Sequence, residues 1–268
     1  MDAGGVVRLR QAVSGEEEPL SNFLGNALDS ALVRFRRGAI DAARRALPQR
    51  CELCAGASAS ELLCDGCARA LPRLGPACPV CALPTPSGAI CGQCLAHPPP
   101  FDATIAAFAY AFPVDRLMHA FKYHGRVALA EWGAGAIHGE RARRTDAVAA
   151  RLIALPLSRE RQRERGYNQA YEIARVLARE LRMPLVRGGV HRNRAAPPQA
   201  ALPWSERAKN VRGAFACELD LEGQAVAIVD DVMTTGASLA EFAGTLKRAG
   251  SARVENWVVA RTLPPGAD

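Results

Sequence analysis

The chain has 268 residues, nine cysteines and a formal net charge of +7. That length accommodates one full α/β domain plus something smaller, and the absence of any run of about 18 apolar residues excludes a membrane span. The charge invites a nucleic-acid partner, yet nearly all of it is arginine, with lysine only at Lys122, Lys209 and Lys247, and high arginine with high alanine can equally reflect genomic base composition.

Met1 to Pro19 holds Arg8 and Arg10 but no apolar segment, and it includes Glu16, Glu17 and Glu18. It is no secretory signal. The expected location is a bacterial-type cytoplasm, where cysteines stay reduced and available to metal. From Ser21 to Leu47 the period is helical, with Phe23, Leu24, Ala27, Leu28, Ala31, Leu32 and Phe35 recurring at threes and fours. Arg34, Arg36, Arg37, Arg44 and Arg45 decorate the other side. A basic amphipathic helix can bind a membrane surface or a partner, but more often packs on its own protein, which is the reading taken here.

Pro48 ends that helix, and four C-x-x-C pairs follow at nearly even spacing: Cys51 and Cys54, Cys64 and Cys67, Cys78 and Cys81, Cys91 and Cys94. One such turn presents two thiolates, and tetrahedral zinc needs two turns. Four turns therefore make two closed four-cysteine sites, structural rather than catalytic. Redox-active pairs would require a βαβ setting that this stretch lacks, and iron–sulfur clusters as a rule use other spacings. Consecutive pairing of the turns is the default, with a crossed pairing as the alternative. Cys217 lies apart and reads as a buried thiol.

His97-Pro-Pro-Pro100 is a stiff linker. Phe101 to Phe112 reads as a strand or strand pair, Val114 to Tyr123 as an amphipathic helix, and Ala128 to Arg143 as another. Gly133, Gly135 and Gly139 imitate a dinucleotide fingerprint but have the wrong spacing and no preceding strand. Ala147 to Leu157 is expected to be the first strand of a parallel sheet, running through a charged stretch, Ser158 to Gln169, into a helix that ends at Leu181. Leu185 to His191 reads as a second strand. Arg192 to Asn210, with three prolines and no apolar period, is the kind of long loop that serves as a lid. Gly213 to Cys217 and Arg253 to Thr262 supply further strands.

The most informative stretch is Ala225-Val-Ala-Ile-Val-Asp-Asp-Val-Met-Thr-Thr-Gly-Ala-Ser238. Ala225 to Val229 reads as a strand buried on both faces, with Asp230 and Asp231 where it emerges. Thr234, Thr235, Gly236, Ala237 and Ser238 then lead into a helix from Leu239 to Ala249, with Gly250 at its C-terminal cap. Small residues running into a helix N-terminus suit a phosphate. Adjacent carboxylates would repel that phosphate, so they take sugar hydroxyls or a divalent metal. A phosphate beside a diol is a ribose 5-phosphate. A nucleoside-triphosphate loop is disfavoured because no G-x-x-x-x-G-K-[ST] is present.

Val226 to Leu239 closely resembles the phosphoribosyl-pyrophosphate (PRPP) signature of type I phosphoribosyltransferases. The resemblance implies that Asp230 and Asp231 hold the ribose hydroxyls and that Thr234 to Ser238 cradle the 5-phosphate. It also implies an α/β fold with a parallel sheet, helices on both faces and the ligand at the carboxyl ends of the strands. The four C-x-x-C pairs together with Phe121-Lys-Tyr-His-Gly125, Pro156-Leu-Ser158, Arg165-Gly-Tyr-Asn-Gln169, Gln199, Glu206-Arg207 and Asn210-Val211 resemble the ComF family, the double-zinc-ribbon, phosphoribosyltransferase-like proteins of bacterial competence. One departure is Ala195-Ala-Pro-Pro-Gln199, where the family often has a threonine before proline–glutamine.

The apolar period places an N-terminal helical extension over 1–47, and the resemblance, which covers about residues 48 to 263, implies a double zinc ribbon over 48–98 and a phosphoribosyltransferase-like domain over 99–268. It implies two structural zincs, magnesium and PRPP, with Ser158 and Arg159 facing the pyrophosphate and Arg165 and Gln169 also in the site. Arg192, Arg194 and Arg207 are candidates to close over it from the lid. It further implies a role with incoming single-stranded DNA and other DNA-uptake proteins. Arg69, Arg73, Arg141, Arg143, Arg144 and the run Arg159 to Arg165 are candidate DNA contacts. No general base is identifiable, so an active phosphoribosyltransferase of unknown acceptor and a DNA-uptake protein that retains the PRPP pocket both stand as expectations.

Overall fold

A computed structural model of the chain describes residues 49–58, 61–146, 148–193 and 211–264. The helix expected over 21–47 and the lid expected over 192–210, apart from Arg192 and Asn193, fall outside these residues. Residues 50–268 belong to one compact unit.

The cysteine-rich segment has little regular structure. Strands β1 (Gln49–Arg50) and β2 (Ala57–Ser58) pair with each other. Helices α1 (Asp65–Arg69) and α2 (Gly92–Ala96) are single turns whose N-caps are Cys64 and Cys91, so the second turn of each cysteine group starts a helix.

The α/β part begins one strand earlier than the sequence suggested. Strand β3 (Ala103–Ala109) is buried along nearly its whole length and joins the main sheet as an edge strand; the stretch 147–157 is thus not the sheet's first strand. Helices α3 (Val114–Tyr123) and α4 (Leu129–Ala142) follow as the apolar period predicts. Strand β4 (Arg151–Ala154) leads into α5 (Arg159–Arg165), a short helix where a charged loop was expected. The Ser158 hydroxyl caps α5 by accepting from the Arg161 N–H at 3.3 Å, and Gly166 ends it in the left-handed region. Asn168 caps α6 (Gln169–Leu181) in the same manner. The stretch 185–191 splits: β5 (Leu185–Val186) pairs with β4, whereas β6 (Val190–Arg192) forms a separate antiparallel pair with β7 (Phe215–Cys217). The expected strand at 213–217 therefore lies outside the main sheet, and Cys217 is half-buried rather than buried. Strand β8 (Ala225–Met233), helix α7 (Ala237–Arg248) and strand β9 (Arg253–Arg261) complete the chain.

The main sheet has five strands in the order β3-β9-β8-β4-β5, all parallel. Strand β8 occupies the centre, as its unbroken apolar run requires. Trp257, Phe108, Phe121, Phe242, Ile173 and Leu177 are wholly buried around it. A buried acid, Glu255, is fully engaged: it accepts from the Trp257 indole at 3.0 Å, the Val148 N–H at 2.9 Å and the Arg253 guanidinium at 3.0 Å. Gly133, the core of the false dinucleotide fingerprint, has a packing role. A Cβ there would meet Val259 Cγ2 at 2.9 Å, so the glycine lets α4 lie close on the sheet. Among the described residues no helix is long and apolar enough to cross a membrane.

Candidate functional site

The eight cysteines gather in the consecutive grouping: Cys51, Cys54, Cys64 and Cys67 in one cluster, Cys78, Cys81, Cys91 and Cys94 in the other. Within each, the sulfurs all lie within 4.8 Å of one another. The Cys54–Cys64 and Cys81–Cys91 sulfur pairs are 3.8 and 3.7 Å apart. Zinc–sulfur bonds of about 2.3 Å in a tetrahedron put sulfurs about 3.8 Å apart, so the donor set fits zinc. The thiols alone conflict. Burial opposes ionisation of Cys51, yet backbone N–H donors from Cys54, Cys64 and Leu53 lower its pKa to about 6, while hydrogen bonds to Cys64, Cys51 and Cys54 push Cys67 up to about 12. A divalent cation takes all four thiolates and removes the conflict. With no open position, both are structural zinc-binding sites.

The second centre forms at the carboxyl end of β8. The strand runs four residues past the expected exit, so Asp230 and Asp231 sit inside it, Asp230 beside Val258 of β9 in the register. Asp230 folds back to accept from the Asp231 N–H at 2.8 Å. Asp231 is buried and pairs with Lys122 Nζ, from α3, at 3.0 Å. Burial works against the charged form of Lys122, but Asp231 and Asp230 together hold its pKa above the ordinary lysine value. The Asp230 pKa is raised as well, which for a carboxyl favours the neutral form. Burial first, then the Asp231 charge, push it up to about 7, against the opposing pull of the Asp231 N–H, Lys122 and Arg165.

Beyond the acids, Gly236 is the N-cap of α7 at φ +81°. Any side chain there is strained, and a Cβ would lie 2.6 Å from Met233 Cε. The Thr235 hydroxyl accepts from the Ala237 N–H at 3.3 Å. Lys122, Arg161, Arg165, Asn168, Gln169 and Arg192 line the cleft together with Asp230, Asp231, Thr234, Gly236, Ala237 and Ser238. Burial and the neighbouring Arg161 depress the pKa of Arg192, with Asp230 opposing. Arg165 spans two partners, Gln169 Oε1 at 3.2 Å and the Tyr123 ring 5.3 Å below its guanidinium. Gln169 is 1% exposed, and its Nε2 has no hydrogen-bond partner among the described residues. A buried amide donor of this kind is expensive unless a ligand or water receives it.

Of the residues singled out in the sequence, Asp230, Asp231, Thr234, Gly236, Ala237, Ser238, Arg165 and Gln169 come together here, and Thr235 supports the loop from behind. Ser158 and Arg159 do not line this cleft. They line an adjoining, larger cavity of about 1230 Å³ that shares Pro156, Leu157, Asn168 and Arg192 with it. Arg194 and Arg207 lie outside the described residues. Lys122 received no site role from the sequence, and Arg161 only that of a candidate DNA contact within the run 159–165. Lys122 had a readable signal: it stands four residues after Met118, on the apolar stripe of α3, in a chain with only three lysines. Arg161 looked like one cation among many, because the helical turn that aims it was not foreseen.

Comparison with known proteins bears on both centres. A double zinc ribbon domain matches residues 42–95. The DNA utilization protein YhgH of Shigella flexneri is 37% identical over 206 residues, which is 75% of this chain and 91% of that protein. Competence protein F of Haemophilus influenzae is 30% identical over 207 residues, 74% of this chain and 90% of its own length. The chain belongs to the ComF family. Competence protein ComFC of Bacillus subtilis is more distant, 26% identical over 204 residues, 72% of this chain and 80% of that one. The matched double zinc ribbon spans both four-cysteine sites of this chain.

Proposed function

We propose that the chain binds PRPP with magnesium at the end of β8, and that it does so in support of DNA uptake. The observation that carries the reading is the junction itself: two adjacent carboxylates, one paired with a buried lysine, run directly into a glycine-capped helix start, with an unpartnered buried amide facing the same cleft. On this reading Asp230 and Asp231 accept from the ribose hydroxyls. The segment Thr234 to Ser238 takes the 5-phosphate on backbone N–H groups and hydroxyls, helped by the dipole of α7. Arg161, Arg165 and Arg192 neutralise the pyrophosphate, and Gln169 Nε2 donates to a ligand oxygen. Lys122 pairs with Asp231, while Asp230 remains the adjustable partner.

Asp230 and Asp231 are the residues that would hold magnesium. Even with Lys122 present, burial and the Asp231 charge raise the Asp230 pKa to about 7, so a further cation beside the pair favours its carboxylate, and magnesium commonly takes one or two carboxylates plus substrate phosphates. When bound, it neutralises charge on the phosphate oxygens. The relatives' names speak of DNA utilization and competence, and that role is carried over to this chain as part of the proposal.

A second reading, an active phosphoribosyltransferase in nucleotide salvage, is favoured by the adjoining cavity, which gives an acceptor room beside the cleft. Two measurements test the pair of readings. PRPP with magnesium is expected to raise the melting temperature, by about 2.7 kcal/mol of native-state stabilisation at a hundredfold excess over Kd. Asp230→Asn with Asp231→Asn should reduce binding by at least ~1.5 kcal/mol. An equal thermal shift in the double variant contradicts the assignment. Pyrophosphate release from PRPP in the presence of nucleobases favours the enzyme reading, and binding without release favours the DNA-uptake reading.

A further inference from the structure

The two four-cysteine clusters are attached to the α/β part in different ways. The third C-x-x-C turn, Cys78-Pro-Val-Cys81, presents three consecutive carbonyls to the sheet. Pro79 O accepts from the Thr104 N–H at 2.9 Å, Val80 O from the Thr104 hydroxyl at 2.6 Å, and Cys81 O from Arg261 Nε at 2.9 Å. Arg261, the last residue of β9, is 2% exposed. Its Nη1 also donates to Met233 O at 3.0 Å, to Thr262 O at 2.8 Å and to Thr234 O. One buried guanidinium therefore ties a ligand residue of the second cluster to the first turn of the loop that ends in Gly236. The first cluster instead packs on the main core through Cys51, with Leu63 and Leu71 beside it, and among the described residues it has no comparable hydrogen-bonded tie to that loop; its charged link is Glu52 with the exposed Arg126, between α3 and α4.

We infer that Arg261 is a positioning residue through which the second zinc site sets the shape of the 234–238 loop. Occupancy of that site, and not of the first, then governs how well the loop receives a phosphate. Arginine suits the position because its planar fork reaches several carbonyls at once in a fixed geometry, which an ammonium cannot do. A zinc that fixes Cys81 fixes its carbonyl, and through Arg261 the Met233 and Thr234 carbonyls behind the loop. Loss of that metal frees one end of the strap and leaves buried donors to find new partners. The inference rests on the proposed PRPP reading for its consequence on affinity, but not for its effect on the loop.

The test uses the full chain and hydrogen–deuterium exchange across residues 231–240, with zinc content and PRPP–magnesium calorimetry beside it. Arg261→Lys should retain two zincs, exchange the loop amides at least about tenfold faster, and bind PRPP about tenfold more weakly. Cys78→Ser with Cys81→Ser should accelerate the loop as much, whereas Cys51→Ser with Cys54→Ser should leave it within about twofold of wild type. In the latter variant only the second zinc remains, so chelating it must accelerate the loop; this arm decides the matter even if Arg261→Lys fails to fold. Unchanged loop exchange on that chelation, or equal acceleration by both cysteine pairs, overturns the inference. If wild type binds no PRPP, the functional proposal fails while loop exchange still reads the coupling.

Discussion

Asp230 and Lys122 face opposite electrostatic demands in the same cleft. Asp230 holds its proton up to about pH 7 in the folded chain, against an ordinary value of 3.8. The folded state thus binds that proton more tightly than the unfolded state does. The stabilisation is complete below about pH 4 and is lost as pH rises toward 7, beyond which it is flat. Asp230→Asn keeps the acceptor for the Asp231 N–H and removes the buried charge, so it should raise the melting temperature at pH 8 while weakening PRPP binding. A scanning-calorimetry series from pH 4 to 8 checks this; a variant no more stable than wild type at pH 8 contradicts it. Binding that needs the Asp230 carboxylate runs the other way with pH: affinity should climb through pH 7 and level off by pH 8, and the climb should vanish in Asp230→Asn. Lys122→Met leaves Asp231 buried without its partner and is expected to cost roughly 3 kcal/mol. Denaturant melts of that variant read the loss directly, and a cost below about 1 kcal/mol would mean that the pair is not buried as described.

At the level of elements, the strand–loop–helix unit from β8 to α7 was the most legible part of the chain, because β8 is central and buried on both faces and its apolar run admits no other placement. The same logic found α3, α4 and β9. What escaped the sequence were features fixed by pairing or capping rather than by periodicity. The run 159–165, all charged or polar, has no apolar stripe, so only the Ser158 cap and Gly166 stop make it a helix. Strands β6 and β7 pair with each other rather than with the main sheet, a choice made by long-range geometry. In the candidate site the acids, the loop, Arg165 and Gln169 were readable, whereas Lys122 is supplied by α3, more than a hundred residues from its partner in sequence. The cysteine elements make a further prediction. Purified chain should carry two zincs, and full chelation should unfold residues 51–94, which have little core of their own. The main sheet keeps its own buried core around Trp257 and should keep its far-ultraviolet signal. Iron in place of zinc would contradict the assignment of both sites.

Across the whole molecule, the excess positive charge divides between cations already engaged and cations that face solvent. Arg144 is held by Asp146 at 2.6 Å and by the Thr104 carbonyl, Arg73 pairs with Glu140 at 3.6 Å, Arg143 pairs with the same glutamate, and Arg141 stacks on Trp257. Arg141 and Arg144 are engaged by buried or backbone partners, so reversing their charge would perturb the fold as well as any nucleic-acid contact, whereas the exposed pairs of Arg73 and Arg143 contribute little to it. Arg159, Arg163 and Arg187 are exposed on the rim of the larger cavity, near Tyr167 and Tyr171, and are the better candidates for single-stranded DNA. Replacing all three with glutamate should lower the salt dependence of single-strand binding by about two to three phosphate contacts, read as the slope of affinity against salt; an unchanged slope moves the DNA contact elsewhere. The central claim, however, concerns the end of β8. Calorimetric titration of PRPP with magnesium into the full chain at pH 8 measures it most directly, with Asp230→Asn plus Asp231→Asn as the comparison. Saturable one-site binding by wild type, reduced at least about tenfold in the double variant, is the expected result; no heat in wild type, or equal affinity in the variant, contradicts it.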